Sequence, residues 1–384
     1  MLGLVDSTLR EGEQTAGVYL TLPQKLRILR RVACVGIEEI EVGVASADPE
    51  LQALLAEGRA QDTRPRLALW CRCLPSDLEV AAALQPDVLS LSLPVSDLHL
   101  SARLGWTRPR ALRVLADMGR GARALRPWVV SLGLEDATRA DPGFLREVLE
   151  AAEGAGVTRV RLADTVGRAT PAEVAALVAL ALAARAPSGA GPSNGPLPSR
   201  VLEVGVHTHN DFGMATANAV AALQAGADWA DVTVLGLGER AGCARLEEVV
   251  GYLSLGAQEP RYHPDRLAEL CREVAAAAGT AIHPHHPLVG SRVFDCESGL
   301  HLDGLAKAPA TYEPYPPEHL GRARTARLGK KVGRGAVAAW LAVMGRTPSR
   351  SSVARLTQRI RDESSRRSRA LSDAELLRLL EDET

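Results

Sequence analysis

The sequence predicts an α/β protein built as a (β/α)8 TIM barrel with a mostly helical C-terminal extension. Short apolar, β-rich runs alternate with longer helical patterns eight times before residue 258. Eight such units in about 250 residues is the typical size of this barrel. Prolines lie near the predicted helix starts and glycines follow the predicted helix ends, where each of these residue types is best tolerated.

The predicted elements follow the chain in regular order. The strands are 4–9, 37–42, 67–71, 88–93, 128–132, 157–162, 201–206 and 229–235, and the helices include 23–35, 109–125, 143–155, 171–185 and 212–225. An open, doubly wound sheet is the structural alternative. That fold usually has fewer strands and a glycine-rich phosphate turn after the first one, and the sequence has no such turn there.

The chain is expected to have three parts. We predict that the barrel covers 1–258, that a linker subdomain covers 259–320 and that a helical tail covers 321–384. The segment 187–199 is rich in Pro, Gly and Ser, a composition typical of a flexible insertion. We therefore interpret 187–199 as a loop before the seventh strand and not as a domain boundary.

Two features lie beyond the predicted barrel. The tail carries Ala354, Leu356, Ile360, Leu376, Leu377 and Leu380 at helical spacing. This pattern predicts small helices that pack on another element or on a partner subunit.

A proline-rich loop carries His283, His285 and His286. Such a loop rarely fixes metal ligands, so we interpret these histidines as structural or exposed.

Composition and charge exclude several classes of protein. The chain has 384 residues, 46% apolar residues and a formal net charge of -1. A near-neutral chain without long runs of one charge argues against a nucleic-acid or membrane surface as its main partner and favours small-molecule ligands. The first charge comes at Asp6, too early for a signal peptide, and the six cysteines are scattered. We therefore expect a cytoplasmic protein with free thiols.

Polar side chains stand at the carboxyl ends of the predicted strands. Reactive groups of a TIM barrel come from these ends. The set comprises Arg10, Glu11 and Gln14 after the first strand, then Glu41, Arg72, Ser92, Glu135, Thr165 and finally His207 and His209. A single one of them would be read as a solvated loop residue, but their presence at nearly every strand end indicates a functional site.

His207 and His209 lie where the seventh predicted strand ends. Alternate side chains of a strand point to the same face, which puts these two imidazoles about 7 Å apart along the backbone. Two imidazoles on one face are suited to bind one metal ion. The alternative is a pair of hydrogen-bonded histidines, and a metal site therefore needs a carboxylate from elsewhere in the chain.

Five ordered motifs resemble those of the DRE-TIM metallolyases. They are Asp-Ser-Thr-Leu-Arg-Glu-Gly-Glu-Gln at 6–14, Ala-Asp-Thr-Val-Gly at 163–167, His-Thr-His-Asn-Asp-Phe-Gly at 207–213, Gly-Leu-Gly-Glu-Arg-Ala-Gly at 236–242 and Glu-Ser-Gly-Leu-His-Leu-Asp-Gly at 297–304. The family includes the isopropylmalate, citramalate and homocitrate synthases. The segments 70–72 and 87–97 are most similar to the homocitrate synthases of nitrogen-fixing bacteria.

The resemblance implies a metal site and an oxo-acid pocket. It makes Glu11 the third ligand beside His207 and His209. The ion would be divalent, Mg2+ or Mn2+ first, with Zn2+ and Fe2+ also compatible with these donors. A 2-oxo acid chelating this ion would have a polarised carbonyl, and Arg10 would add positive charge at the developing alkoxide. Three further residues match positions that line the oxo-acid pocket: Gln14, Glu41 and Thr165.

The same resemblance implies groups that act on the second substrate, acetyl-CoA. Its methyl group must lose a proton to a positioned base. The family has a glutamate at the position of Glu135, a histidine at His301 and a tyrosine at Tyr312 near this step. The last two residues follow the barrel, in a region that the family exchanges across a homodimer. We therefore expect His301 and Tyr312 to serve the partner's site.

The sequence departs from the family pattern at three places. Cys243 stands where the family usually has asparagine, and Lys331 and Val332 stand where it has histidine and serine. The lysine-pathway homocitrate synthases have an arginine four residues before the catalytic glutamate to hold the distal carboxylate. Ser131 occupies that position, so we assign this carboxylate to Arg72.

The expected reaction is condensation of acetyl-CoA with 2-oxoglutarate to give homocitrate. The same chemistry on a shorter 2-oxo acid, giving isopropylmalate or citramalate, is the alternative within the family. Two interpretations come from other classes: an Fe(II)- and 2-oxoglutarate-dependent oxygenase, which also uses two histidines and one carboxylate, and a non-catalytic relative that keeps only ligand binding.

Overall fold

The first unit of the chain is a closed barrel of eight parallel strands in sequential order, β1 to β8. The structure is a computed structural model and describes residues 1–127, 129–185, 202–347 and 349–381. The chain forms two compact units, Met1–Ile282 and His283–Thr384. The predicted TIM barrel is confirmed. The predicted insertion 187–199 and the predicted strand starts at 128 and 201 lie outside the described residues.

Strands and helices alternate through the barrel. The strands are β1 (Gly3–Asp6), β2 (Glu39–Val44), β3 (Arg66–Arg72), β4 (Val88–Pro94), β5 (Val129–Glu135), β6 (Arg159–Asp164), β7 (Glu203–Thr208) and β8 (Trp229–Val232). The helices are α1 (Leu22–Val35), α2 (Glu50–Arg59), α3 (Pro75–Leu84), α4 (Arg108–Ala124), α5 (Pro142–Gly154), α6 (Pro171–Ala183), α7 (Ala215–Gln224), α8 (Leu246–Gly251) and α9 (Leu267–Ala277).

The helix ends follow from local sequence. Helix α6 begins with a capping box, in which Thr170 and Glu173 satisfy each other's backbone N–H groups, and α5 begins where the Asp141 carboxylate accepts from the backbone of Phe144 at 2.8 Å. Gly36 ends α1 with φ of 96°, a left-handed conformation that glycine adopts without strain. These signals explain why the helix predictions agree with the structure to within a few residues.

Strands β1 and β8 are shorter than predicted because their carboxyl ends turn into the site. After Asp6 the chain folds back, and the backbone N–H of Glu11 donates to the carbonyl of Ser7 at 2.8 Å. After Val232 the chain turns through Leu235, which has φ of 59°. The apolar pattern that predicted longer strands continues into these turns, since Leu9 and Val234 are buried there.

The end of the barrel away from the site is filled by a charged and aromatic cluster. Trp229 is fully buried, and the Arg159 guanidinium lies 4.0 Å from the centroid of its ring. Arg159 also pairs with Glu39 at 2.9 Å and with Glu203 at 3.2 Å. These contacts neutralise a buried cation. They lie at the amino end of the strands, the end of a TIM barrel that contributes to stability.

The compact barrel unit extends past residue 258, the boundary that the sequence predicted. Helix α9 packs against α1 through Arg27 and Glu273, whose Nε and Oε1 atoms are 2.7 Å apart. A Cβ on Gly36 would lie 2.7 Å from the carbonyl oxygen of Arg261, so the two segments are in close contact. The compact unit ends at Ile282, and the predicted division into 1–258, 259–320 and 321–384 stays a prediction.

The second unit is mostly helical. It contains β9 (Asp295–Cys296), β10 (Thr325–Ala326), α10 (Gly299–Lys307), α11 (Arg334–Val343), α12 (Arg350–Arg367) and α13 (Asp373–Glu381). Its apolar core comprises Leu328, Val332, Ala336, Val337, Leu341, Val353, Leu356, Ile360, Leu371, Leu376 and Leu380. The apolar face predicted for the tail therefore packs on α11 of the same chain, although Leu377 is 37% exposed.

The cysteines, the histidines of the proline-rich loop and the lengths of the helices can each be compared with the expectations from the sequence. All six cysteines are free thiols, as predicted. His283 and His285 are exposed, and His286 is half-buried. Within the described residues, no helix has the length and apolar character that crossing a membrane requires.

Candidate functional site

Strand β7 brings His207 and His209 together at the carboxyl end of the barrel. Their Nε2 atoms are 3.2 Å apart, and the rings meet edge to face with centroids separated by 5.0 Å. Both side chains are buried. Two nitrogens bound to one four-coordinate ion would be about 3.3–3.4 Å apart, given metal–nitrogen bonds near 2.0–2.1 Å. The histidine pair thus has the spacing of two ligands of one ion.

Glu11 supplies the carboxylate that the histidine pair needs. The tight turn after β1 directs its side chain towards β7, where Glu11 Oε2 lies 4.0 Å from Nε2 of His207. Glu11 is 4% exposed, and its other oxygen, Oε1, is buried with no hydrogen-bond partner in the part of the chain that the structure describes. A buried carboxylate oxygen without a partner is costly. An ion bound between Glu11 and the histidines would satisfy it.

Asp231 of β8 fixes the orientation of His207. Its Oδ2 lies 2.9 Å from Nδ1 of His207 and 2.8 Å from Nη1 of Arg161. A proton on Nδ1, shared with Asp231, leaves the lone pair of His207 on Nε2, which faces His209. Metal-binding histidines usually have such a carboxylate partner, which sets their tautomer and raises their basicity.

The charge states of the two other ligand residues also fit a cation. Burial and the neighbouring His207 lower the pKa of His209 to about 3, so this imidazole is neutral at pH 7. Burial opposes ionisation of Glu11, but Arg10 and the two histidines hold the pKa of Glu11 below its usual value. A neutral imidazole and an ionised carboxylate are the forms that bind metal. The residues present therefore fit a divalent cation.

Arg10 is held beside the metal ligands by carboxylates. Its guanidinium pairs with Glu11, and its Nε lies 2.6 Å from Oε2 of Glu41. Glu41 also accepts from the hydroxyl of Ser7 at 2.7 Å. Burial would raise the pKa of Glu41, but Arg10 and Arg161 hold it at about 2. Glu41 is fully buried and lies behind Arg10, which lines the cavity at this end of the barrel while Glu41 does not.

A cavity of about 520 Å3 opens at this end of the barrel. This volume lies within the range of small-molecule sites. Among the predicted site residues, its lining includes Arg10, Glu11, Gln14, Arg72, Glu135, Thr165, His207 and His209. The structure thus brings eight of the predicted residues to one cavity, to which Trp70, Trp106 and Arg161 add aromatic and cationic surface.

Glu135 lies across the cavity with two partners of its own. Its Oε1 accepts from the hydroxyl of Ser92 at 2.7 Å, and its Oε2 lies 2.7 Å from Nη2 of Arg103. Arg103 ends a π-helical turn, His99–Arg103, that follows β4. Thr165, after β6, accepts a hydrogen bond from the backbone N–H of Asp136 at 2.8 Å. Both partners of the Glu135 side chain therefore come from β4 and the turn that follows it.

Arg72 lies at the end of β3 and forms an ion pair with Asp77. Nε and Nη2 of Arg72 are 3.0 and 2.8 Å from the Asp77 carboxylate oxygens. The side chain of Arg72 is 59% exposed. The ion pair with Asp77 thus fixes the direction of the guanidinium, and Arg72 is among the residues that line the cavity.

Cys243, one of the departures from the family pattern, lies against the ligand cluster. Its Sγ is 3.9 Å from Nδ1 of His209, and the residue is 2% exposed. Potential ligand atoms of Glu11, His207, His209 and Cys243 all lie within 4.8 Å of one another, the one such group found in the described part of the chain. The departure at Val332 has a different reason, because Val332 is fully buried in the apolar core of the second unit.

His301 and Tyr312 belong to the second unit. Their ring centroids are 4.2 Å apart, and both side chains are exposed. The described residues of the barrel unit form the cavity without them. Their predicted role at an active site stays a prediction.

Sequence reasoning missed Asp231, Arg161 and Arg103. Asp231 and Arg161 interrupt apolar strands, and a charge on the inward face of a barrel strand was a readable signal for both. Arg103 had no comparable signal, because it reaches Glu135 only through the turn after β4.

Two family models match the chain. Residues 1–258 match the model described as HMGL-like, and residues 288–368 match the model described as homocitrate synthase post-HMGL domain-like. The first match covers most of the chain and includes every described residue of the cavity.

Related proteins agree with these matches. Homocitrate synthase 1 of Nostoc sp. is 36% identical over 385 residues, covering 98% of this chain and 96% of that protein. 2-Isopropylmalate synthase 2 of Caldanaerobacter subterraneus subsp. tengcongensis is 35% identical over 380 residues, with coverage of 99% and 95%. The crystal structure of the Bacillus subtilis HMG-CoA lyase has a TM-score of 0.61 at 20% identity, covering 73% of this chain and 95% of that chain, and supports the fold alone. The chain therefore belongs to the HMGL-like family, the DRE-TIM group of the sequence analysis, and is an enzyme of its acyltransferase branch.

Proposed function

We propose that this enzyme is a homocitrate synthase, which condenses acetyl-CoA with 2-oxoglutarate and water to give homocitrate and CoA. The observation that carries the proposal is the buried cluster of Glu11, His207 and His209 beside an arginine-lined cavity. The match of residues 288–368 to the homocitrate synthase post-HMGL model supports the choice of substrate.

Glu11, His207 and His209 would hold one divalent cation, with Asp231 orienting His207. Oxygen and imidazole donors alone suit Mg2+ or Mn2+, and they also accept Zn2+ or Fe2+. When bound, such an ion polarises the keto group of a chelating 2-oxo acid as a Lewis acid.

The side chains around this cluster would manage the charge and the protons. A base removes a proton from the acetyl methyl group, and the resulting carbanion forms a C–C bond to the keto carbon, whose oxygen gains the negative charge. Arg10, held by Glu41, stabilises that charge electrostatically. We assign the proton transfers to Glu135 and His301, with Tyr312 beside His301. Water then cleaves the thioester and releases CoA.

The cavity offers cations for the distal carboxylate of 2-oxoglutarate. We assign this contact to Arg72, whose direction is fixed by Asp77, because a fixed guanidinium can bind a carboxylate through two hydrogen bonds. Gln14 and Thr165 line the same cavity and would contact the remaining oxygens of the substrate.

His301 and Tyr312 would reach an active site by exchange between subunits of a homodimer. In a two-fold dimer every contact occurs twice, so each barrel would receive both residues from its partner. The contact of their rings within one chain supports their acting as a pair. We also propose a cytoplasmic location, which agrees with the free thiols of all six cysteines.

The alternative within the family is condensation with a shorter 2-oxo acid. The isopropylmalate synthase relative is nearly as similar as the homocitrate synthase relative, at 35% against 36% identity. The cationic lining of the cavity favours a substrate with two carboxylates. An oxygenase or a non-catalytic relative has no such support, since the chain belongs to an acyltransferase branch.

Metal removal tests the proposal. We expect CoA release from acetyl-CoA and 2-oxoglutarate to stop after chelation and to return with added Mg2+ or Mn2+, and the product to have the mass of homocitrate. Glu11→Gln and His207→Ala should abolish both metal binding and turnover, whereas Glu203→Gln, at the opposite end of the barrel, should keep the metal. Full turnover in a metal-free preparation would refute the proposal.

A further inference from the structure

We propose that Cys243 is a fourth ligand of the metal, so that the site prefers Zn2+ or Fe2+ to Mg2+ and Mn2+. The inference rests on the metal centre of the proposed function and concerns which ion that centre takes. It changes the expectation from the sequence, which placed Mg2+ and Mn2+ first because it considered only oxygen and nitrogen donors.

The backbone holds the Cys243 sulfur firmly against the ligand cluster. His209 and Cys243 form an antiparallel bridge, and the Cys243 N–H donates to the carbonyl of Gly236 at 3.0 Å. The sulfur and Glu11 meet at Gly238, where an added Cβ would lie 2.9 Å from Sγ and 3.4 Å from Cγ of Glu11. The absence of a side chain at Gly238 thus leaves room for the thiol to face Glu11.

The surroundings of the sulfur are those of a metal ligand. Cys243 is 2% exposed, and its Sγ belongs to the group of four potential ligand atoms that lie within 4.8 Å of one another. Glu11 is in the same group, and its Oε1 is buried with no hydrogen-bond partner among the described residues. This unpartnered oxygen is independent evidence that a cation belongs between these residues.

The ligand chemistry determines the preferred ion. When the S–metal bond forms, the thiol releases its proton to solvent and the thiolate donates an electron pair to the ion, with no change of oxidation state. Thiolate is a soft ligand that favours Zn2+ and Fe2+ over the hard ions Mg2+ and Mn2+. Two histidines, one carboxylate and one thiolate would make a four-ligand set, and a 2-oxo acid chelating through two oxygens would expand it to six ligands.

The competing arrangement keeps Cys243 outside the coordination sphere. Its sulfur would then accept a hydrogen bond from Nδ1 of His209. The separation of 3.9 Å is long for such a bond, because good hydrogen bonds to nitrogen and oxygen span about 2.7–3.2 Å and sulfur adds only a few tenths of an ångström.

Binding of Co2+ to the full-length metal-free enzyme distinguishes the two arrangements without an activity assay. A cobalt–thiolate bond gives an intense near-ultraviolet charge-transfer band, whereas bound cobalt without sulfur shows only its weak visible bands. We expect the charge-transfer band in the wild type and in Cys73→Ser, a change of another cavity-lining thiol. The band should be lost in Cys243→Ser and in Cys243→Asn, both of which should still bind Co2+.

Competition between ions gives a second readout. Cys243→Ser should bind Zn2+ at least about tenfold more weakly, the smaller end of the loss when a partner at a metal site is removed, while its affinity for Mn2+ should change less. Cobalt that binds with visible bands alone, or a charge-transfer band that survives Cys243→Ser, would overturn the inference and leave the proposed function intact. Failure of the wild type to bind Co2+ at all would overturn the metal centre itself.

Discussion

Oδ2 of Asp231 and Nδ1 of His207 lie 2.9 Å apart at the centre of the site. Asp231 is 3% exposed and also pairs with Arg161. This carboxylate connects the metal-facing imidazole to the charged network that holds Arg10 through Glu41. The metal ligands and the proposed oxyanion-stabilising arginine are therefore positioned by one set of buried ion pairs.

Asp231→Asn should weaken metal binding about 10–100-fold, because loss of the carboxylate partner lowers the basicity of a histidine ligand. The affinity is measured by titrating Mn2+ into metal-free protein. Asp228→Asn, which removes a carboxylate paired with Arg185, is the control and should bind Mn2+ normally. Equal affinity in Asp231→Asn and the wild type would show that Asp231 does not support His207.

Asp6 should make the stability of the fold depend on pH. Burial raises the pKa of Asp6 from 3.8 to about 7, partly offset by hydrogen bonds from Thr8. The folded state therefore binds this proton more tightly than the unfolded state. The protonated Asp6 carboxyl therefore contributes its full stabilisation below about pH 4, and this contribution is lost as the pH rises through about 7.

Asp6→Asn should remove this pH dependence. Denaturant unfolding at a series of pH values from 4 to 9 would give a smaller fall in the free energy of unfolding for Asp6→Asn than for the wild type, by a few kcal/mol according to the size of the pKa shift. If the free energy of unfolding fell equally with pH in both proteins, the result would contradict a buried, protonated Asp6.

Arg72→Ala should raise the KM for 2-oxoglutarate far more than the KM for acetyl-CoA. We expect the KM for 2-oxoglutarate to rise by about tenfold, because the variant loses the guanidinium group proposed to bind the distal carboxylate. Arg103→Ala is the matched comparison. It should lower kcat instead, since Arg103 holds Glu135. Similar effects of Arg72→Ala on both substrates would indicate a structural role.

Mixing two inactive variants tests the shared active site. His301→Ala and Glu135→Ala chains, mixed in equal amounts under conditions of subunit exchange, should recover about a quarter of wild-type activity. Half the dimers would be mixed, and each would have one site with both changes and one site with neither. If both residues acted within one chain, every site would carry one change and no activity would return at any mixing ratio.

The barrel and much of the site were predictable from the sequence because both depend on local patterns. Strand alternation brought His207 and His209 to one face, and strand ends gave Glu11, Glu135 and Thr165. Glu41 was predicted in the pocket, but its position behind Arg10 depends on how Arg10 turns back over β2. The Asp231–His207 contact depends on the register of β7 against β8, which no local pattern reveals.

The most direct test of the account is a CoA-release assay of the metal-loaded enzyme with a panel of 2-oxo acids. We predict that 2-oxoglutarate has the highest kcat/KM, with pyruvate and 2-oxoisovalerate lower by at least about tenfold, because the shorter acids lack the distal carboxylate that a guanidinium group of the cavity would bind. A higher kcat/KM for either shorter acid, or no CoA release with any of them, would contradict the assignment as a homocitrate synthase.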